Sequence, residues 1–456
     1  MFRRVLIANR GEIALRVQRA CRELDIAPVI VCSEADRDSL PVQLAEHAYC
    51  IGPARAADSY LNTEALLTVA LATGCQAVHP GYGFLAESAE FAEACEAAGL
   101  TFIGPPAEVI REMGRKASAR ARMKAAGVPV VPGSDGPVAD ADEALRIAEA
   151  VGWPVLIKAS AGGGGLGIRR VSGPDELPEL FEEARAEAVA CFGDGELYLE
   201  KQIENPRHIE FQILADAHGN IVQLGDRECS VQRRNQKLIE EAPSCALSPE
   251  LRREMSAAAL TAARAAGCVN ACTVEFVTDR DGRYYFIEMN TRIQVEHGVT
   301  EMVTGIDLVR EQIRIAQGLP LSFRQDDVVI RGHAIECRIN AEDPMNDFRP
   351  SPGTVSFLHF PGGCGVRVDS ALFNGCEIPP FYDSLIAKII CCAPTRKDCM
   401  KRMRRALEEL VILGPVHTAD LMHQILHHPD FVRGHYDTGF LEKNFERMLE
   451  RARERR

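Results

Sequence analysis

The sequence has no long apolar run, no Cys-x-x-Cys pair and no excess of positive charge. No apolar stretch is long enough to span a bilayer, which argues against a membrane-spanning helix. The net charge of −13 argues against nucleic acid or an anionic membrane surface as the main partner. The start, from Met1 to Val5, passes directly into a strand-like segment rather than a signal sequence, so we expect a cytoplasmic protein.

Cysteine is plentiful, but its spacing does not predict a metal site. The 16 cysteines are scattered through apolar segments, as are Cys32, Cys50, Cys95, Cys337, Cys391 and Cys392. We expect small buried thiols. Cys268 and Cys272 come nearest to ligand spacing, yet no second pair completes a tetrahedral zinc site.

The 456 residues suffice for two or three domains. In the first third, short apolar strands alternate with helical stretches, a pattern typical of βα units on a parallel sheet. The predicted strands are Val5–Ala8, Val29–Val31, Ala77–His79 and Thr101–Ile103. The segment Asn9 to Glu12 lacks the three spaced glycines of a dinucleotide site, so the sheet does not indicate NAD. From about residue 331 onward the chain is rich in predicted strands.

Glycines follow a strand that ends near Lys158. A helical run from Glu108 to Ala126 carries Lys116, and the strand from Pro154 to Ser160 then leads into Gly162–Gly165. Four consecutive glycines cost conformational entropy on folding, which is explained if the backbone must lie against phosphates. A flexible hairpin tip is the alternative interpretation.

Acidic and amide residues alternate with apolar ones from Glu288 to Glu296, so an extended backbone would place the polar groups on one face. If Asp281-Gly282 forms a two-residue hairpin turn, Glu275 lies opposite Glu288. Two opposed carboxylates repel each other unless a cation lies between them, and oxygen ligands suit Mg²⁺. A solvated hairpin face with screened charges is the alternative.

The same hairpin register also predicts a second cross-strand pair and the residues on the other face. Thr273 faces Asn290, and the reverse face of the hairpin carries Val274, Phe276, Ile287 and Met289.

Several motifs in order resemble those of biotin carboxylase, the ATP-grasp component of acetyl-CoA carboxylase and of related acyl-CoA and pyruvate carboxylases. They are Ile7–Ala14, His79–Leu85, the Gly162 loop, Glu204–His208, Glu288–His297 and Arg349–Gly353. The resemblance implies an α/β fold with an N-terminal parallel-sheet domain (1–114), an ATP-grasp domain (115–330) whose glycine-rich lid spans about 131–203, and a β-rich C-terminal α+β domain (331–446).

The resemblance also implies roles for single residues. Those matching nucleotide-binding positions are Lys116, Lys158, Gly164, Gly165, Glu200, Lys201, Gln202, Ile203, His208, Gln232 and Asn235. Those matching Mg²⁺ ligands are Glu275, Glu288 and Asn290. Lys237, Arg292 and the Val295 backbone match the bicarbonate site. Glu296 matches the base that deprotonates bicarbonate, and Arg338 matches the group that stabilises the biotin enolate.

The implied reaction uses ATP, Mg²⁺ (with Mn²⁺ as a substitute), bicarbonate and biotin. Biotin is usually attached in an Ala-Met-Lys-Met turn of a separate fold, and the Met-Lys pair Met123-Lys124 lies in a predicted helix. The resemblance therefore implies a separate biotin carboxyl carrier protein, carboxyltransferase subunits and a homodimer. Two other interpretations are an ATP-grasp ligase with another acceptor and an inactive or regulatory paralogue that binds nucleotide or carrier.

The chain departs from the family pattern at four positions. Leu166 replaces a lid cation, Asn235 replaces a His, Arg115 replaces an Asp, and Gly298 replaces a Pro. An apolar side chain at 166 cannot contact phosphate as a cation would, so we expect weaker ATP binding and lid closure.

Overall fold

A five-stranded parallel sheet forms the first part of the protein, which we describe from a computed structural model covering residues 1–160 and 168–454. The strands are β1 Arg4–Ile7, β2 Ala27–Cys32, β3 His47–Cys50, β4 Ala77–His79 and β5 Thr101–Phe102, in the order β3-β2-β1-β4-β5. The helices are α1 Gly11–Glu23, α2 Leu40–Gln43, α3 Thr63–Ala72, α4 Ala89–Ala97 and α5 Ala107–Gly114. Central strand β1 is apolar because Val5, Leu6 and Ile7 are covered on both faces. The predicted parallel sheet is confirmed.

The helix predicted from Glu108 to Ala126 is two helices, so that prediction is wrong. Helix α6 spans Lys116–Ala125 and is separated from α5 by Arg115, whose backbone is extended (φ −94°, ψ 101°). Gly127 follows the second helix with a φ of +78°, a conformation that glycine adopts without steric cost. The break makes Lys116 the first residue of α6.

Residues from 141 to 201 form a small layer of sheet and helices. Its elements are α7 Ala141–Val151, β6 Val155–Ala159, β7 Ile168–Val171, α8 Leu177–Phe192 and β8 Leu197–Lys201. The three strands pair antiparallel in the order β7-β6-β8, and Ile157, Phe181 and Leu199 are buried between sheet and helices. The stretch 161–167, with the predicted phosphate contacts of Gly164 and Gly165 and with Leu166, lies outside the described residues.

The rest of the chain is built around an eight-stranded sheet, in the order β13-β12-β9-β10-β11-β14-β21-β19. Six further strands form the two-stranded sheets β15-β16, β17-β20 and β18-β22. The strands after β8 are β9 Arg207–Ala215, β10 Ile221–Arg233, β11 Gln236–Ala242, β12 Asn270–Thr278, β13 Tyr284–Asn290, β14 His333–Asn340, β15 Glu342–Asp343, β16 Arg349–Pro350, β17 Gly353–Thr354, β18 Phe357–His359, β19 Val366–Ser370, β20 Glu377–Ile378, β21 Leu385–Ala393 and β22 Val411–Leu413. Strand β14 pairs with β11, so the β-rich region after residue 331 continues the central sheet.

The helices of this part of the chain all follow β11 in the sequence. They are α9 Pro249–Ala266, α10 His297–Thr304, α11 Leu308–Ala316, α12 Arg396–Glu409, α13 Ala419–His427, α14 Pro429–Arg433 and α15 Phe440–Glu454. Helix α9 has clear boundaries, because the Ser248 hydroxyl accepts from the Leu251 amide and Gly267 follows with a φ of +70°. None of the helices in residues 1–160 and 168–454 combines the length and apolar character that crossing a bilayer requires.

The expectation of small buried thiols holds for part of the cysteines. Cys268 and Cys272 form a disulfide with each other. Cys95, Cys337 and Cys391 are buried as expected, whereas Cys50 is exposed. Cys50 lies on β3, an edge strand whose outer side has no neighbouring strand to cover it.

Candidate active site

The hairpin of β12 and β13 has the predicted register at its polar end. Glu275 pairs with Glu288, and Thr273 pairs with Asn290. The predicted two-residue turn is wrong, because the Asp279 amide donates to the Arg283 carbonyl and three residues lie between them. A β-bulge between Glu275 and Phe276 compensates for the longer turn.

The bulge changes which face Ile287 occupies. Phe276 pairs with Phe286, and both are buried in the core with Met289. Ile287 lies beside Glu288 in the lining of a large cavity, so its predicted place on the reverse face is wrong. An extra residue in one strand shifts the alternation by one position.

The cavity has a volume of about 940 Å³ and lies where the N-terminal sheet, the small antiparallel layer and the central sheet meet. It brings together most of the predicted site residues. Its lining includes Lys116, Lys158, His208, Gln232, Asn235, Lys237, Glu275, Glu288, Asn290, Arg292, Val295, Glu296 and Arg338.

Glu275 is surrounded by donors from four parts of the chain. His208 Nε2 lies 2.7 Å from Glu275 Oε2, and Lys237 Nζ lies 3.0 Å from Oε1. The amides of Asn290 and Gln294 donate to Oε1 over 2.8 and 2.7 Å. Burial alone would raise the pKa of Glu275, but Lys237 and His208 outweigh it and hold the pKa far below its usual range. Glu275 is therefore an ionised carboxylate.

Glu288 faces the open cavity and has fewer partners. Its side chain is 34% exposed, and Lys116 Nζ lies 3.5 Å from Oε2. The pair Glu275 and Glu288, together with Asn290, supplies hard oxygen donors on one side of the cavity, which fits Mg²⁺. The Asn290 Oδ1 atom accepts from Arg292 Nη2 over 3.0 Å, so this contact would have to yield for Asn290 to bind a metal ion.

Lys237 connects three carboxylates. Its Nζ lies 2.5 Å from Glu210, 3.0 Å from Glu275 and 2.6 Å from Glu296. Burial lowers the pKa of Lys237, but the three carboxylates more than reverse this and raise it well above the usual value. Lys237 is thus a permanently charged group beside the predicted base.

Glu296, the predicted base, is 2% exposed and lies between two cations. Its Oε1 contacts Lys237, and its Oε2 lies 3.0 Å from Arg338 Nη2. Burial would raise its pKa, yet Lys237, Arg338 and Arg227 hold the pKa well below the usual range. Glu296 is therefore available as a carboxylate at neutral pH, as a proton acceptor must be.

Arg292 and Val295 lie in the loop between β13 and α10. Arg292 Nε lies 2.9 Å from Glu87 Oε2, which holds the guanidinium at the cavity edge. The carbonyl of Val295 accepts from Lys388 Nζ over 2.7 Å. The segment predicted to bind bicarbonate is thus fixed at both ends by charged partners.

The nucleotide-side residues divide into two groups. Lys158 Nζ lies in the cavity and contacts Glu200 Oε2 at 2.5 Å, while Arg120 Nη1 contacts Glu200 Oε1 at 3.1 Å. The segment Glu200–Ile203 is not part of the lining formed by the described residues, and Lys201 Nζ donates to the Val151 carbonyl instead. Its contact with adenine stays a prediction.

The backbone conformation at position 235 explains why the chain has Asn there. It forms the turn between β10 and β11 with Arg234, and both residues have positive φ, 47° for Arg234 and 66° for Asn235. Asparagine tolerates this left-handed region better than most residues. Asn235 faces the cavity from this turn beside Gln232.

Glu210 and Arg227 are site residues that the sequence analysis missed. Both side chains are fully buried, and Arg227 Nε lies 2.5 Å from Glu210 Oε1. Arg227 also donates to Gln294 Oε1 over 2.5 Å. The signal for Glu210 was its alternation with His208 and Gln212 along β9, which places the three on one face.

The fold and the cavity define an ATP-grasp ligase. Three family models match consecutive parts of the chain: "Biotin carboxylase, N-terminal domain" over residues 1–110, "Carbamoyl-phosphate synthase L chain, ATP binding domain" over 115–324 and "Biotin carboxylase C-terminal domain" over 336–443. Biotin carboxylase of Nostoc sp. is 55% identical over 97% of this chain and 99% of the relative. Biotin carboxylase 1 of Bacillus subtilis is 54% identical over 97% of this chain and 98% of the relative. The chain belongs to the biotin carboxylase family.

Solved structures agree with this assignment. The biotin carboxylase domain dimer of Hydrogenobacter thermophilus 2-oxoglutarate carboxylase, in complex with MgADP, ADP and bicarbonate, has a TM-score of 0.94 and 52% identity, covering 98% of this chain and 99% of that one. Campylobacter jejuni biotin carboxylase has a TM-score of 0.95 and 44% identity, covering 97% of this chain and 99% of that one. The resemblance stated from the motifs is confirmed, and the protein is an ATP-dependent carboxylase.

Proposed function

We propose that this cavity carboxylates biotin on a separate carrier protein, with ATP and bicarbonate as substrates and carboxyphosphate as the intermediate. The observation that carries the proposal is the unbroken chain of contacts from Glu275 through Lys237 and Glu296 to Arg338. It joins the carboxylates suited to a metal, a base and an arginine suited to an oxyanion within one cavity.

The residues in the middle of this series of contacts activate bicarbonate. Lys237 and Arg292 hold the anion, and Glu296 takes its proton, because a buried carboxylate between cations stays ionised at neutral pH. An oxygen of the deprotonated bicarbonate then attacks the γ-phosphorus, and the bond to the ADP oxygen breaks. Lys116, Lys158 and His208 bind the nucleotide phosphates in this proposal. Mg²⁺ bound by Glu275, Glu288 and Asn290 would supply charge stabilisation at the phosphates.

Arg338 assists the transfer of the carboxyl group to biotin. Carboxyphosphate releases CO₂ and phosphate, the phosphate accepts the ureido N–H proton, and the ureido nitrogen attacks CO₂. Arg338 stabilises the enolate oxygen that develops when the proton leaves. Protonation of Glu296 in the earlier step weakens its ion pair with Arg338, which frees the guanidinium for this oxygen.

The carrier has to be a separate chain or domain. The two Met-Lys pairs, Met123-Lys124 in α6 and Met400-Lys401 in α12, both lie within helices with the methionine buried, so neither forms an exposed turn that a biotin ligase could reach. A biotin carboxyl carrier protein, carboxyltransferase subunits and a homodimer of this chain complete the proposed assembly. Support for the dimer comes from the dimeric biotin carboxylase domain of Hydrogenobacter thermophilus.

The test is ADP release measured with and without bicarbonate and free biotin, together with labelled bicarbonate to follow carboxybiotin. We expect bicarbonate-dependent ADP release that biotin stimulates, and labelled carboxybiotin. ADP release without carboxybiotin would indicate a ligase with another acceptor. Tight nucleotide binding without ADP release would indicate an inactive paralogue. The comparisons support neither of these alternatives.

A further inference from the structure

The carboxyl groups of Glu240 and Glu336 form a cross-strand pair next to Arg338, which contacts Glu240. Glu240 on β11 pairs with Glu336 on β14 in the sheet register, and both side chains are 0% exposed. Side chains opposite each other in neighbouring antiparallel strands lie close together, and like charges in such a pair are destabilising. Neither residue has a role in the proposed reaction so far.

The hydrogen bonds of the pair leave three acceptor atoms without a donor. Arg338 Nε and Nη2 both contact Glu240 Oε1, at 2.6 and 2.5 Å. Within the described part of the chain, Glu240 Oε2 and both carboxyl oxygens of Glu336 have no hydrogen-bond partner. Two ionised carboxylates could not coexist here without a large desolvation cost. One proton on the pair supplies one O–H donor, which can give two of these three atoms a partner.

The geometry decides where that proton resides. Glu240 is held by the guanidinium of Arg338, which stabilises it as the carboxylate. Glu336 has no such contact, and the charged or titratable groups around it are Arg338 on its own strand, Lys388 on β21, Glu240 on β11, Glu296 before α10 and Tyr82. Burial raises the pKa of Glu336 well above its usual range, against the opposing charge of Lys388, and Glu240 raises it further.

The pKa of Glu240 is also raised, but less than that of Glu336. Burial raises the pKa of Glu240 to about 7, and Arg338 acts against that rise. Because the two carboxyl groups interact, they titrate as a pair, and the carboxyl without an ion pair is the one that retains the proton.

We propose that Glu336 is a positioning residue of the biotin step: a protonated carboxylic acid that donates a hydrogen bond to Glu240 Oε2 and so fixes Glu240 as the anchor of Arg338. The proposal rests on the proposed function, because it assigns Arg338 to the biotin oxyanion. Loss of the proton from Glu336 would put a second negative charge behind the guanidinium and draw it away from biotin. Carboxybiotin formation should therefore fall at alkaline pH before bicarbonate-dependent ATP cleavage does.

Three variants test this role. Glu336→Gln is neutral at every pH and keeps a donor, so we expect carboxybiotin formation within about 3-fold of the parent at neutral pH and an alkaline limb shifted to higher pH. Glu336→Leu has similar bulk without a donor, and Glu240→Gln removes the charged anchor. Both should lower carboxybiotin formation by about 10-fold or more, with less than about 3-fold effect on bicarbonate-dependent ADP release.

An infrared measurement tests protonation without any activity. The carbonyl stretch of a protonated carboxylic acid should be present in the parent at neutral pH and lost in Glu336→Gln. Glu311→Gln is the matched control, since Glu311 is also buried but accepts from Ser322 Oγ and lies on α11 away from the cavity. An unchanged band in Glu336→Gln would overturn the proposal.

The kinetic outcomes are equally decisive. Equal activity of the Gln and Leu variants, or an alkaline limb of Glu336→Gln that coincides with that of the parent, would overturn the positioning role. If the parent formed no carboxybiotin, the proposed function would fail, whereas the infrared band would still show whether Glu336 carries the proton.

Discussion

The ammonium group of Lys388 lies 2.7 Å from the carbonyl oxygen of Val295, although the two residues are 93 positions apart. Lys388 is fully buried on β21 and also lies 2.9 Å from Glu12 on α1 and 3.8 Å from Asp369 on β19. One side chain therefore ties the proposed bicarbonate loop to the N-terminal sheet domain and to the C-terminal strands. This contact holds Val295 in the lining of the cavity.

We expect Lys388→Met to damage both stability and bicarbonate binding. Removing one partner of a buried ion pair leaves carboxylates unpaired and typically costs about 3–5 kcal/mol in the free energy of unfolding. The freed Val295 loop should raise the KM for bicarbonate by about 10-fold, since a misplaced binding group loses contact energy on the order of 1.4 kcal/mol. Steady-state kinetics and thermal unfolding measure the two effects, with Lys397→Met, an exposed position on α12, as the control. A lower Tm with an unchanged KM would show a structural role alone.

The register at the polar end of the β12–β13 hairpin could be predicted from sequence even though its turn could not. Alternation and two facing carboxylates fix which residues share a face, and this pattern placed Glu275 opposite Glu288. The turn depended on the αL conformation of Gly282 and on Asp279, which pairs with Arg283. The turn is one residue longer than predicted, and the bulge at Ile287 adds one residue to β13. Each change shifts the strand alternation by one position, so beyond the bulge the predicted pairing is restored.

The contacts between distant strands could not be predicted. The join of β11 to β14 places Glu240 opposite Glu336, but neither strand carries a local signal for its neighbour. Arg227 is another example, because a charged residue on a strand is usually exposed and its burial follows from Glu210 on the adjacent strand. The helix break at Arg115 is a third example, because the amide of the next residue, Lys116, donates to the carbonyl of Ser160, which is distant in sequence.

The pH dependence of stability should reflect Glu241, which joins β11 to the C-terminal helices. Its oxygens contact His333 Nε2 and Arg396 Nε, each at 2.7 Å. Burial would raise the pKa of Glu241, but His333 and Arg396 lower it from 4.5 to about 2. A depressed pKa contributes stability that is present above about pH 4.5 and is lost as the pH falls toward 2.

Glu241→Gln should therefore lower the free energy of unfolding at pH 7 by about 3 kcal/mol. The gap between parent and variant should close between roughly pH 4.5 and pH 2, as the parent takes up the proton. Denaturant unfolding at a series of pH values measures this. A gap that stays constant down to pH 2 would contradict the assignment, and Glu250→Gln at the exposed start of α9 is the control.

Replacement of Glu288 by Gln should abolish turnover while the fold stays intact. The change removes the negative charge from the more exposed of the two facing carboxylates and leaves Glu275 with its partners His208 and Lys237. We expect Mg²⁺-dependent ADP release to fall by about 10²-fold or more, since a lost metal ligand typically weakens both affinity and charge stabilisation. Thermal unfolding serves as the control for the fold. Undiminished ATP hydrolysis in this variant would refute the metal assignment.

Arg338 should act on biotin and not on ATP. Its guanidinium is held by Glu240 on β11 and by Glu296 at the start of α10, at the opposite end from Glu275 of the chain of contacts through Lys237. Burial lowers the pKa of Arg338, but Glu240 and Glu296 raise it far above the usual value, so the charge is permanent.

Arg338→Gln should accordingly lower carboxybiotin formation by about 10²–10³-fold, the loss typical of an oxyanion donor, whereas bicarbonate-dependent ADP release should fall much less. The two activities are measured side by side in the parent, in Arg338→Gln and in Arg264→Gln, an exposed arginine on α9 that serves as the charge-matched control. The removed guanidinium also leaves Glu296 with Lys237 as its main cation, which should raise the pKa of Glu296 without abolishing its ionisation at neutral pH. If carboxybiotin formation and ADP release fell in parallel, Arg338 would act before biotin enters, and its assignment to the oxyanion would be wrong.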